Sequence, residues 1–91
     1  MANLEYVEID TKGDYVQLDT LLSTTLTEGT KYSMQVRNQG SSLTVCIASD
    51  TPTEGGFIMK DLEKFEYTPA SGENLYVLTG SVGKVYLNIA S

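Results

Sequence analysis

Few residues in this chain are equipped for chemistry. Its twelve acidic residues include two close pairs, Glu63 with Glu66 and Asp10 with Asp14, that could share general acid and base work. Twelve carboxylates on a 91-residue chain also fall near one another by chance, and a solvated charged face accounts for both pairs. Asp10-Thr-Lys-Gly-Asp14 holds oxygen ligands for calcium. It lacks the alternating acids and closing glutamate of a calcium loop, and Lys12 stands in its middle. Cys46 is the single cysteine, and no histidine exists to activate it as a nucleophile. One cysteine excludes an internal disulfide and any zinc site built on several cysteines. The lack of histidine argues against the usual zinc, copper and iron sites. No serine sits in a Gly-x-Ser-x-Gly elbow. The Gly55-Gly56 and Gly80–Gly83 turns lack the helix and Lys-Ser/Thr of a phosphate cradle. The expectation is a protein that is not an enzyme and holds no metal or cofactor.

The elements that must position these residues are strands. Tyr32, Met34 and Val36 alternate with Ser33, Gln35 and Arg37, and Leu43, Val45 and Ile47 alternate with Thr44, Cys46 and Ala48. A period of two sends each apolar set to one face of a sheet. With the polar turn Gln39-Gly-Ser-Ser42 between them, the two runs read as a hairpin. Leu4–Ile9 and Tyr15–Leu18, separated by the Asp10–Asp14 turn, read as a second hairpin. Asp19–Leu26 reads as an irregular crossing segment that drops Leu21, Leu22 or Leu26 onto the core. Phe57–Lys60, Phe65–Tyr67, Leu75–Leu78 and Lys84–Ala90 complete the set, divided by Pro/Gly loops at 50–56 and 68–73.

Seven or eight short strands with turns every eight to twelve residues predict an all-β fold, a small antiparallel sandwich or barrel with no long helix. The chain reads as one domain over 1–91, with an N-terminal arm and crossing segment (1–28) and a core sandwich (29–91). The predicted core is Tyr32, Met34, Val36, Leu43, Val45, Ile47, Phe57, Phe65, Leu75, Val77, Val85, Leu87 and Ile89.

Composition limits the partners. The hydrophobic fraction of 41% and the charged fraction of 20% fit a folded domain. A net charge of −6 argues against a nucleic-acid partner and against an anionic membrane surface. No apolar run approaches the roughly 20 residues of a membrane span, and no signal peptide is expected. So small a core gains from assembly with copies of itself. The candidate contact residues are those left off the core face: Leu4, Tyr6, Val7, Tyr15, Cys46, Tyr76 and Tyr86. Small neighbours Thr44 and Ala48 flank Cys46 on its face and suit close packing under another strand or subunit. Tyr76 and Tyr86 share one outer face if the last two strands are neighbours. That face is then a sugar platform, a subunit interface or a surface covered by the N-terminal segment.

The order of pieces from Gly29 to Ala90 resembles small β-domains of tailed-bacteriophage virion proteins. The likeness is carried by Gly29-Thr-Lys-Tyr-Ser-Met-Gln-Val-Arg-Asn38 with Gly40, and by a strand ending in Ala48-Ser49-Asp50 before Pro52. After the Gly55-Gly56 loop and an aromatic strand come Pro69-Ala-Ser-Gly-Glu-Asn-Leu-Tyr-Val-Leu78 and the closing Val85-Tyr-Leu-Asn-Ile-Ala90. It covers about two-thirds of the chain and carries no catalytic residue. The resemblance implies a capsid decoration, head-fibre base or tail-associated accessory protein. Such a protein forms a homo-oligomer, with a trimer favoured, and docks on the major capsid protein or another virion protein. It is assembled in the host cytoplasm and resides in the virion. Residues 1–28 lie outside the resemblance and are the expected capsid-binding arm. The alternative is a carbohydrate- or surface-binding module of a fibre or tail protein.

Overall fold

The computed structural model describes residues 3–23, 25–37, 42–80 and 84–91, with only the backbone described for Asn3 and Leu4. The apolar alternation resolves into eight strands: β1 (Asn3–Ile9), β2 (Val16–Gln17), β3 (Tyr32–Val36), β4 (Ser42–Ala48), β5 (Phe57–Lys60), β6 (Lys64–Tyr67), β7 (Asn74–Leu78) and β8 (Val85–Ala90). They form two four-stranded sheets, ordered β1-β8-β3-β6 and β2-β7-β4-β5, with every pairing antiparallel. The fold is a β-sandwich, as the strand pattern predicts, and the helical content of the described residues is the single 3-10 turn Leu18–Thr20.

Period-two alternation predicts faces well. Of the thirteen expected core residues, Tyr32, Met34, Val36, Leu43, Val45, Leu75, Val77, Val85, Leu87 and Ile89 are buried, and Phe65 packs partly against them. Leu21, Leu22 and Leu26 of the crossing segment also lie against the core. Two expectations fail: Ile47 is 45% exposed and Phe57 71% exposed, because both lie toward the β5 end, where the sandwich is open.

Strand partners differ from the hairpin readings. β3 pairs with β6 and β8, whereas β4 pairs with β5 and β7, so the two best-defined strands lie in opposite sheets and not in a hairpin. The turn expected at 39–42 lies, apart from Ser42, outside the described residues. So do residues 81–83 of the expected glycine turn. Likewise β1 pairs with β8 and β2 with β7, again in opposite sheets. Of the seven connections, only β4 to β5 joins neighbours within one sheet.

The division at residue 28 does not separate an arm from a sandwich. β1 and β2 are members of the two sheets, and Val7, Ile9 and Leu18 are buried in the core. The β1–β2 connection is held by two threonines. Thr11 N–H donates to Thr79 Oγ1 at 2.9 Å, and Thr79 N–H donates to Thr11 Oγ1 at 2.8 Å. Gly13 N–H adds a bond to the Thr79 carbonyl at 3.1 Å. Lys12 and Gly13 have φ of 53° and 88°, the left-handed geometry of a tight turn, which explains the glycine.

Candidate functional site

The candidate acid–base pairs are tied into the scaffold. The Glu63 carboxylate accepts the Lys60 N–H at 2.6 Å, and Glu66 pairs with Lys31 at 3.0 Å, both exposed. Asp10 and Asp14 flank a turn closed by Asp14 N–H on the Thr11 carbonyl at 3.2 Å. Among the described residues, no three His, Cys, Asp or Glu side chains converge as a metal ion requires. Cys46 is half-buried on the outer face of its sheet. A Cβ on Gly56 would lie 3.2 Å from the Cys46 Cβ, so the 49–56 loop packs closely over it.

The expected contact residues do not form one patch. Because β7 and β8 belong to different sheets, Tyr76 and Tyr86 lie on opposite outer faces, which corrects their placement on a shared face. Tyr76 is buried and sits between Gln17 and Cys46 in register. Its cover comes from the chain itself: Tyr15 OH reaches over the sheet to the Gly55 carbonyl at 2.6 Å. Asn74 accepts from Gln17 at 3.0 Å and donates to the Ser49 carbonyl at 3.3 Å. Tyr86 is half-buried and carries the stacked ring of Tyr6, with centroids 5.2 Å apart and planes 7° from parallel. On the same face Lys84 pairs with Glu8 at 3.4 Å, and the bond to that carboxylate raises the lysine pKa. Val7 is a core residue, so it is not available for contact. The side chain of Leu4 lies outside the described residues. Within one chain, the N-terminal segment thus lies on Tyr86 through Tyr6 and reaches the 49–56 loop through Tyr15.

The surface that sequence reasoning missed is the β5 edge. Phe57, Ile58 and Leu62 are 71%, 66% and 59% exposed, and with Ile47 they are, Tyr6 aside, the exposed large apolar side chains among the described residues. A groove of about 400 Å³ opens between β4 and β5 of one sheet and β6 of the other. Its walls are Val45, Ile47, Phe57, Ile58, Met59 and Phe65, with Glu66 at the rim. One signal for it was present in the sequence: Phe57-Ile-Met is apolar on both faces of a very short strand, yet no neighbouring segment supplies residues to cover it.

Backbone geometry sharpens this edge. Lys60 directs its N–H to the Glu63 carboxylate and its carbonyl to the Glu63 N–H at 3.0 Å, so both point away from β4. Antiparallel strands alternate in direction, so Phe57 and Met59 bond to β4 and Ile58 turns its N–H and C=O to the open edge. The other edges are protected as natural sheets require. β1 is bulged near Asn3/Glu5, and its Glu5 carboxylate accepts the N–H of Ser23 at 3.1 Å and its hydroxyl at 3.0 Å, which fastens the crossing segment there. β2 has two residues, and β6 carries the exposed charges of Lys64 and Glu66. Among the described residues, β5 is the edge strand that sets its two most exposed apolar side chains, Phe57 and Ile58, beside an outward-facing backbone.

With this geometry in view, comparison with protein-family models, with curated proteins and with solved structures found no match.

Proposed function

We propose that the chain is a non-catalytic structural domain whose work is association: an accessory protein that binds a larger protein shell and reinforces it. The observation that supports this reading is the coincidence of exposed Phe57, Ile58 and Leu62 with an unprotected edge strand. A contiguous apolar patch of this kind marks a protein contact in a soluble domain. The tailed-phage resemblance gives the reading its specific form, a capsid decoration protein in the virion. Co-sedimentation with purified, undecorated capsids of its own phage tests it. Saturable binding that Phe57→Ser weakens is expected, and a chain that stays in the supernatant at all capsid concentrations overturns the proposal.

The sugar-binding alternative draws on Tyr6, whose ring is 55% exposed over Tyr86. A platform needs a ring face beside free hydrogen-bonding groups. On that face the Tyr86 hydroxyl is directed to Glu8 at 3.4 Å and the Gln35 amide, two strands from Tyr6, to the Leu62 carbonyl at 3.1 Å, which leaves the Asn88 amide, opposite Tyr6 in register, as the group beside the ring. The apolar edge therefore supports association better than the tyrosine pair supports sugar binding.

A further inference from the structure

We infer that β5 is the seam of a two-fold dimer, pairing antiparallel with β5 of a second copy with Ile58 opposite Ile58 on the axis. This rests on the association reading: the edge joins two copies, the shell meets the assembled dimer, and Phe57→Ser weakens capsid binding through loss of the dimer. A second copy is the occupant because the described surface offers no other apolar counterpart. Phe57, Ile58 and Ile47 line one groove at this edge, Leu62 follows in the turn after β5, and the remaining exposed large apolar residue, Tyr6, is stacked on Tyr86 in β8 of the other sheet. The complement of this patch on the molecule is thus the same patch of another copy, the defining property of an isologous contact.

The register follows from the backbone. Ile58 is the β5 residue whose N–H and C=O face outward unspent, since those of Lys60 are engaged by Glu63. An antiparallel pair exchanges both bonds between directly opposed residues. Placing Ile58 on the dyad lets each copy give and receive one bond there. Phe57 then stands opposite Met59 of the second copy, and Met59 opposite its Phe57. Both lie on the core-facing side, since their β4 partners Val45 and Leu43 are buried. Each copy thereby roofs the groove of the other, and the two four-stranded sheets containing β5 join into one of eight strands.

Area is sufficient. The four side chains together expose the equivalent of nearly two and a half whole large residues per copy. At roughly 150–250 Å² for each large side chain, full cover of all four in two copies buries about 700–1,200 Å², the size of a weak, transient contact. A dimer of this size with two central backbone bonds is expected to dissociate between about 1 µM and 1 mM.

Sedimentation equilibrium of the full chain, without any shell, tests the dimer. Wild type is expected to show a monomer–dimer equilibrium, and Ile58→Lys, which sets two ammonium groups face to face on the axis, to weaken it at least about 30-fold. Ile58 is exposed, so circular dichroism of this variant should match wild type. Ile58→Cys in a Cys46→Ser background gives the register. Opposed residues in a bonded antiparallel pair have Cα atoms about 5.5 Å apart, within disulfide range, so mild oxidation should yield a covalent dimer. A chain that remains monomeric up to about 1 mM, or a dimer that Ile58→Lys leaves unchanged, overturns the inference. A monomer that still sediments with capsids overturns the dimer and leaves the association reading standing.

Discussion

Replacing Thr79 by valine tests the clamp that fastens the β1–β2 connection to the rest of the sandwich. Thr79 is 2% exposed, and its hydroxyl oxygen accepts the N–H of Thr11, itself 9% exposed. Valine keeps the shape and the β-branch but removes that acceptor. The Thr11 N–H then points at a methyl group where water cannot reach it. A buried donor left without a partner costs about 1–3 kcal/mol. The other direction of the clamp survives, because Thr79 N–H still donates to Thr11 Oγ1. A domain of this length has roughly 5–14 kcal/mol of total stability, so the loss is a substantial fraction of it. Urea unfolding followed by circular dichroism should show a lower midpoint with an unchanged slope, since the surface exposed on unfolding is the same. Thermal unfolding should fall by roughly 5–20 °C. Thr20→Val is the control: its hydroxyl also bonds the backbone, here as donor to the Gln17 carbonyl at 2.7 Å, but in an exposed position, where the change should stay within about 0.5 kcal/mol. If Thr79→Val is as small as the control, burial is not what gives the clamp its value, and the reasoning fails.

Three further predictions bear on the scaffold. Gly56→Ala should destabilise by about 1–3 kcal/mol, because φ is +105° and the new Cβ would sit 2.7 Å from the Val45 carbonyl; Gly13→Ala, also at positive φ but in open space, should cost less. Equal midpoints for the two variants in urea would contradict the close packing of the 49–56 loop. Deleting residues 2–18 removes Val7, Ile9 and Leu18, about 5–9 kcal/mol of apolar burial, so circular dichroism should report an unfolded chain, and a cooperative β-signal would contradict the placement of β1 and β2. Burial first, and then Glu73 and Asp19, raise the Tyr67 pKa. The unfolded chain therefore releases that proton first, and stability present below about pH 10 is lost as pH rises from there through the folded value, a loss that Tyr67→Phe should lessen.

The faces of the strands were legible in the sequence, but their partners were not. Tyr32, Met34 and Val36 had to point inward wherever β3 lay, because one buried face is all that period two requires. Whether β3 met β4 or β8 depended on which connections cross between the sheets, and local turn chemistry does not carry that information. Phe57 shows the same limit. Its alternation with Ile58 and Lys60 is that of a core strand, and only its position at the end of the order β2-β7-β4-β5 leaves it exposed. Tyr76 is the converse, an outward residue buried because Tyr15 and the 49–56 loop close over it. Leu18 likewise reaches the core from a 3-10 turn that has no apolar period to announce it. The edge was the part of the candidate site hardest to foresee, since it depends on what fails to cover a strand.

Amide hydrogen exchange at Ile58, measured residue by residue over a range of protein concentrations, tests the role of this edge most directly. In the separate chain the Ile58 N–H faces the open side of β5, so it should exchange fast while those of its buried neighbours on β4 and β7 are protected. Association through the edge should slow Ile58 as concentration rises and leave the amides of the opposite edge, on β1 and β2, unchanged. An Ile58 amide that exchanges equally fast at every concentration while the protein associates would place the contact elsewhere and contradict the account.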